Sequence, residues 1–202
     1  MTTAPPAARH PRLSRPVVVA LAVVVVVVGL VLDQLSKRWA VDALGGGQTI
    51  PLFPTARFAL VYNPGVSFGM GADVGPLLTV GIMALSLGLA VWVGWQIRHR
   101  ASLLQVLLLA AVLAGALGNL FDRITRAEDG PLSGHVVDFI AVEWFAVFNV
   151  ADILTVCGMI AWALTTVFGR DHAADARDAE EDDSDAAAAS PADAGSAPAD
   201  RS

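Results

Sequence analysis

Nine acidic residues precede the Asp- and Glu-rich C-terminal stretch, and four of them fall in or beside long apolar runs: Asp33, Asp122, Asp138 and Asp152. A carboxylate in hydrocarbon is costly, which makes each of these a candidate for chemistry rather than for solvation. Asp42, Asp73, Glu128 and Asp129 read as ordinary loop residues, and Glu143 as a headgroup-level neighbour of Trp144. Helical spacing supplies companions. Asn149 and Asp152 are three apart, Asn119 and Asp122 are three apart with Arg123 beside them, and Asp33 and Lys37 form an i,i+4 pair. Asp33 and Lys37 can equally be a plain helix-end ion pair, and Arg123 could neutralise Asp122 in the same sense. Asp138 and Asp152 have no basic residue at comparable spacing, so each must find another partner or share a proton. Two carboxylates sharing one proton can hydrolyse a peptide bond without a metal: one takes a proton from water while the other donates to the carbonyl oxygen.

Other chemistries have weaker footing. There is no HExxH, and His10, His99, His135 and His172 fall in loops or terminal segments. His135, near Asp138, reads as a solvated loop histidine in its PLSGH setting. Ser67 and Ser133 lack a GxSxG context. Cys157 is the one cysteine, five residues beyond Asp152 with no histidine in its run, so it reads as packing; a single cysteine excludes an internal disulfide, a CxxC pair and a cysteine-based zinc site within one chain.

The elements that must position the acids follow from composition. Of 202 residues, 55% are hydrophobic and 16% charged, which excludes a soluble globular enzyme. The net charge of -6 is misleading, because residues 170–202 hold ten of the nineteen acids against three arginines and leave the rest near +1. That balance gives no support to nucleic-acid binding. Four runs are long enough to cross a bilayer: Pro16–Leu32, continuing through Asp33 toward Trp39; Val74–Ile97; Ala101–Phe121; and Trp144–Gly169. Arg9, Arg12 and Arg15 before the first run, with Arg98 and Arg100 between the second and third, place both termini in the cytoplasm. The four acids then converge near the outer face, with Asp152 deepest, about 12 Å along a helix counted from Trp144. Trp39 and Trp144 would anchor the outer interface, Trp92 and Trp95 the inner one. The first run exceeds the core of a cleaved signal peptide and lacks a small-residue cleavage site after it. Arg57–Tyr62, bounded by proline and glycine, is β-compatible and predicts a small sheet or hairpin lying on the membrane. Residues 170–202 lack large apolar side chains and are expected to be disordered. The fold class is therefore an all-α membrane protein of four transmembrane helices with a small β-structured extracytoplasmic segment. A proton-coupled transporter or channel also uses intramembrane acids, but no polar chain continues to the cytoplasmic helix ends, and no internal repeat is visible. A purely structural four-helix protein would explain the runs but not the acids.

Five blocks carry a resemblance that spacing cannot supply: DQLSK at Asp33–Lys37, NPGVSFG at Asn63–Gly69, GNLFDR at Gly118–Arg123, VVDFI at Val136–Ile140 and FNVAD at Phe148–Asp152. In this order they resemble the lipoprotein signal peptidase family, the type II signal peptidases of bacteria, across Pro16–Gly169. The resemblance implies an inner-membrane aspartic endopeptidase that removes prolipoprotein signal peptides, cutting before the diacylglyceryl-modified cysteine. It implies Asp138 and Asp152 as catalytic residues and Asn63, Asn119, Asp122, Arg123 and Asn149 as their polar surround. Asp33 and Lys37 would support the outer rim. The segment around Asn63 would form a β-structured cradle that helps enclose substrate. The implied partners are diacylglyceryl-modified prolipoproteins, membrane lipid and globomycin-type inhibitors, with no cofactor, metal or nucleic acid. Where this family usually has alanine in NPGVSFG, Ser67 stands here. The organisation expected is a basic cytoplasmic segment (1–15), a four-helix membrane peptidase domain (16–169) and an acidic cytoplasmic tail (170–202).

Overall fold

The structure, a computed structural model, describes residues 13–65, 75–127 and 130–168. Residues 1–12, Ser67, Asp73, Glu128, Asp129 and the tail 170–202 lie outside them. Hydrocarbon offers a backbone no hydrogen-bond partner, so charge-free runs close their bonds internally as helices. The four are α1 (Arg15–Leu44), α2 (Pro76–Arg98), α3 (Leu103–Thr125) and α4 (Val150–Phe168), of 30, 23, 23 and 19 residues, each long and apolar enough to cross a membrane. Proline occupies the first turn of α1 and α2, where a missing N–H costs nothing. Ser102 caps α3 by accepting from the Gln105 amide at 3.2 Å.

The chain divides into two compact units at Trp162/Ala163. All packing below lies in the first, Met1–Trp162; the described part of the second is helical residues 163–168. In the first unit α1 buries Ala22, Gly29, Asp33, Lys37, Ala40 and Leu44, a single face at three-, four- and seven-residue steps. Its apolar end packs in a cluster of Ala22, Val93, Val106, Leu109 and Ala110, with Trp92 edge-on to Trp162 at 4.9 Å. The other faces expose valine and leucine, as a hydrocarbon solvent permits.

Three strands form an antiparallel sheet in the order β1 (Thr49–Phe53), β2 (Ala56–Asn63) and β3 (Val136–Val142). Phe139 of β3 and Phe58 of β2 pack against Ala40 and Leu44 of α1, and Trp39 meets Phe58 edge-on at 5.1 Å. The small sheet or hairpin expected around Arg57–Tyr62 is a three-stranded sheet, whose third strand comes from the segment before α4.

Two expected boundaries change, with consequences for the acids. α4 begins at Val150 rather than Trp144, because the residues before it leave β3 and return as a bridge between Ile140 and Phe148. Asp152 is thus the third residue of α4. α1 runs past Trp39 to Leu44, which sets Asp33 about 16 Å back along the helix from its end. Asp138 lies mid-strand in β3.

Candidate active site

α1 and α3 bring the first set of polar groups together. Lys37 Nζ stands 2.9 Å from Asp33 Oδ2, 2.9 Å from Asp122 Oδ2 and 2.9 Å from Asn119 Oδ1, so all three ammonium protons have acceptors. Asp33, Lys37 and Asp122 are fully buried. Asp122 also accepts from Arg126 Nε at 3.1 Å and from the Val137 amide at 3.2 Å; Asp33 accepts from the Ala151 amide at 3.0 Å. Gln34 Nε2 lies 3.1 Å from Asp33 and 3.4 Å from Asp122. This lattice ties α1 to α3, to β3 and to the start of α4. It needs close helices: a Cβ on Gly118 would collide with the Asp33 carboxylate, and one on Gly115 with the Ala151 carbonyl.

Arg123 is not the partner of Asp122. Its Nη1 donates to the Pro64 carbonyl at 3.2 Å and its Nη2 to the Gly65 carbonyl, so the guanidinium clamps the chain leaving β2. Among the described residues its buried Nε has no hydrogen-bond partner. Asn63, the last residue of β2, accepts from the Gly65 amide at 3.0 Å, an Asx turn that aims its Nδ2 at Asp138 Oδ2, 2.9 Å away.

The start of α4 builds the remainder. The Phe148 carbonyl accepts from the amides of Phe139 and Ile140, pinning the chain to β3 one residue before the helix cap. Asn149 and Asp152 then cap each other: the Asp152 amide donates to Asn149 Oδ1 at 3.0 Å, and the Asn149 amide to Asp152 Oδ2 at 3.1 Å. The Asn149 amide group reaches Asp138 Oδ1 at 2.7 Å and Asn119 Oδ1 at 3.1 Å. Asn119 Nδ2 donates to Asp152 Oδ1 at 2.8 Å. Because Lys37 holds the oxygen of the Asn119 side chain, its nitrogen faces Asp152.

Asp138 and Asp152 both line a half-open cavity of about 290 Å³. Asn63, Asn119 and Arg123 supply its polar wall, Ile82, Ala116, Phe145, Phe148 and Val156 much of the rest. Burial pushes the Asp138 carboxyl up to about 6; the charge of Asp152 adds to this, and the Asn63 and Asn149 hydrogen bonds oppose it. All nine residues singled out from sequence thus fall in one connected set. Gln34, Arg126 and Gly118 were missed. Arg126 lies four residues beyond Asp122, a spacing that was readable; Gln34 gives no comparable signal. A larger cavity, about 510 Å³, sits at the opposite end of α1–α3 and contains none of these residues.

Residues 25–168 match the family described as signal peptidase (SPase) II. A lipoprotein signal peptidase of Mycobacterium avium (strain 104) is 41% identical over 143 residues, 70% of this chain and 76% of the relative. The protein of the same description from Mycobacterium tuberculosis (strain ATCC 25618 / H37Rv) is 41% identical over 148 residues, 73% of this chain and 71% of its own. One from Bifidobacterium longum subsp. infantis is 42% identical over 144 residues, 70% and 76% of the two chains. Two solved structures, described as bacterial membrane enzymes, share the fold. The first has a TM-score of 0.61 at 21% identity over 82% of this chain and 94% of the other. The second has a TM-score of 0.58 at 22% identity over 73% and 92%.

Proposed function

The chain belongs to the signal peptidase II family, peptidases that remove the signal peptides of prolipoproteins, and from that premise we propose an aspartic mechanism at Asp138 and Asp152. The observation that carries it is their shared cavity, in which each carboxylate is held by amides. Amides orient a carboxylate without neutralising it, so the pair can keep and pass on a proton. Asp138, with its carboxyl pushed up to about 6, is the member that holds it. In the first step Asp152 takes a proton from water, the water oxygen bonds to the scissile carbonyl carbon, and Asp138 gives its proton to the carbonyl oxygen. In the second the C–N bond breaks, the departing nitrogen takes the proton from Asp152, and the diol hydroxyl returns one to Asp138. Arg123 lines the cavity and, through the Pro64 and Gly65 carbonyls, holds the chain leaving β2 beside the two carboxylates.

The substrate is a diacylglyceryl-modified precursor, cut before the modified cysteine. A half-open cavity at one end of membrane-crossing helices lets acyl chains stay in lipid while the peptide bond meets the carboxylates. Both termini lie in the cytoplasm, the cavity is near the outer face, and globomycin-type cyclic peptides compete for it. The apolar cluster of Ala22, Val93, Val106, Leu109 and Ala110 at the other end offers a proton no path, which argues against a transporter.

The test uses the full chain in detergent with a precursor bearing the diacylglyceryl cysteine and the same precursor without lipid. Mass spectrometry of the products should find the cut just before the modified cysteine and little turnover of the bare precursor. Cleavage elsewhere, or equal rates on both, would overturn the substrate assignment.

A further inference from the structure

The 510 Å³ cavity at the opposite end of the bundle takes no part in the peptidase chemistry. It is lined by Leu13, Arg15 and Val18 of the α1 entrance, Ile97 of α2, and the turn Arg100–Leu103 into α3. Arg15 and Arg100 are among its lining residues, and among the described residues no acid is. The first turn of α3 carries no acidic residue, so its partial positive charge adds to theirs. The turn is built to a definite shape: Arg15 Nη2 donates to the Arg98 carbonyl at 3.1 Å, and the Ala101 amide to the Gln96 carbonyl at 3.0 Å. Arg100 itself adopts φ 56°, a conformation that glycine takes far more readily than a side-chain-bearing residue. Apart from Ser102 the rest of the wall is apolar, and Val17 and Leu104, chain neighbours of lining residues, are exposed on the helix flanks.

We propose that this cavity binds the phosphodiester headgroup of an anionic phospholipid, held by Arg15 and Arg100, with an acyl chain lying along the apolar wall. A free anion would satisfy the arginines but leave that wall unmatched, and a zwitterionic lipid would bring its own cation to the two guanidiniums. The level fits a headgroup, since the cavity is formed at the ends of three membrane-crossing helices.

The full chain, freed of lipid in detergent, is titrated with dioleoyl phosphatidylglycerol or dioleoyl phosphatidylcholine, and retained lipid is read by native mass spectrometry. A basic residue near a lipid surface contributes on the order of fivefold in anionic-lipid affinity, so two give a preference of roughly thirtyfold for phosphatidylglycerol. Arg15→Gln with Arg100→Gln should remove the preference. Precursor cleavage in detergent at the parent rate shows that the variant is folded. If it is not, Arg100→Gly alone, which suits φ 56°, should cost about fivefold. Arg98→Gln removes a charge from the same turn but no lining guanidinium, and should keep the preference. Equal retention of the two lipids by the parent chain would overturn the proposal. So would an Arg98→Gln loss as large as that of the pair, which would mean bulk charge alone. Glycerol phosphate competing as well as the lipid would assign the cavity to a free anion instead.

Discussion

Four buried or partly buried carboxylates stand in two environments that share the Asn119 side chain. Asp33 and Asp122 bond to cations, Lys37 and Arg126; Asp138 and Asp152 bond to the amides of Asn63, Asn119 and Asn149 and to backbone. A carboxylate bonded to a buried ammonium serves as a strut between helices. A carboxylate on neutral donors can change its proton. On the proposed mechanism the molecule uses the same residue type for frame and for chemistry, and the difference lies in which neighbour supplies the hydrogen bond.

The sharpest way to break this division is to remove the proton-handling groups. Asp138→Asn and Asp152→Asn should each reduce precursor cleavage by about 10³-fold or more at equal protein abundance. The double variant should be little worse than either single, because the pair works as a unit. The chelator EDTA should not matter. Substantial turnover by either single variant in washed membranes would end the dyad assignment.

Replacing Lys37 probes the other half. Lys37→Met leaves Asp33 and Asp122 buried without their shared ammonium and should cost about 3–5 kcal/mol of stability, read as a lower unfolding midpoint in detergent. The Asn variants at Asp138 and Asp152 should lose much less. Equal losses would erase the distinction between strut and acid.

A smaller effect concerns pH. The Asp138 carboxyl sits near 6 against an ordinary 3.8, so the proton needed for catalysis is present below about pH 6 and lost as pH rises through that value. Cleavage should fall on that alkaline limb. For stability the sign follows: between about 3.8 and 6 the folded chain keeps a proton that the unfolded chain releases, so Asp138 contributes falling stability as pH rises through that window. The Asn63 hydrogen bond favours the charged form, so Asn63→Ala should move the limb up by roughly one pH unit. A limb that stays put, or moves down, contradicts the role given to Asp138.

The smallest effect is expected at Cys157, exposed on α4. Cys157→Ser should leave cleavage unchanged, and thiol reagents should not inhibit. Abolished turnover in a folded variant would move the nucleophile.

How much of this was legible in sequence depended on range. The helices could be read because lipid demands long apolar runs, and the acids because such runs make them conspicuous. The start of α4 was misread because Phe145–Phe148 are as apolar as a helix, although the Asn149/Asp152 capping pair marked the true entrance. Strand β3, only seven residues of VVDFIAV, is too short for periodicity to separate it from helix. The clamp of Arg123 on Pro64 and Gly65 joins positions 59 and 58 residues apart and leaves no trace in local pattern. Gln34 escaped notice because a neutral amide beside Asp33 carries no charge signal.

The hydrogen bond from the Ala151 amide to Asp33 joins the first membrane helix to the last. During synthesis, a chain that has emerged only as far as α3 already contains Lys37, Asn119 and Arg123 but has neither Asp138 nor Asp152. Its earliest helix waits with Asp33 short of one donor until α4 is inserted. On the proposed Asp138/Asp152 mechanism, peptidase activity is therefore born with the final helix, and an interrupted translation product is inert in the membrane rather than half-competent.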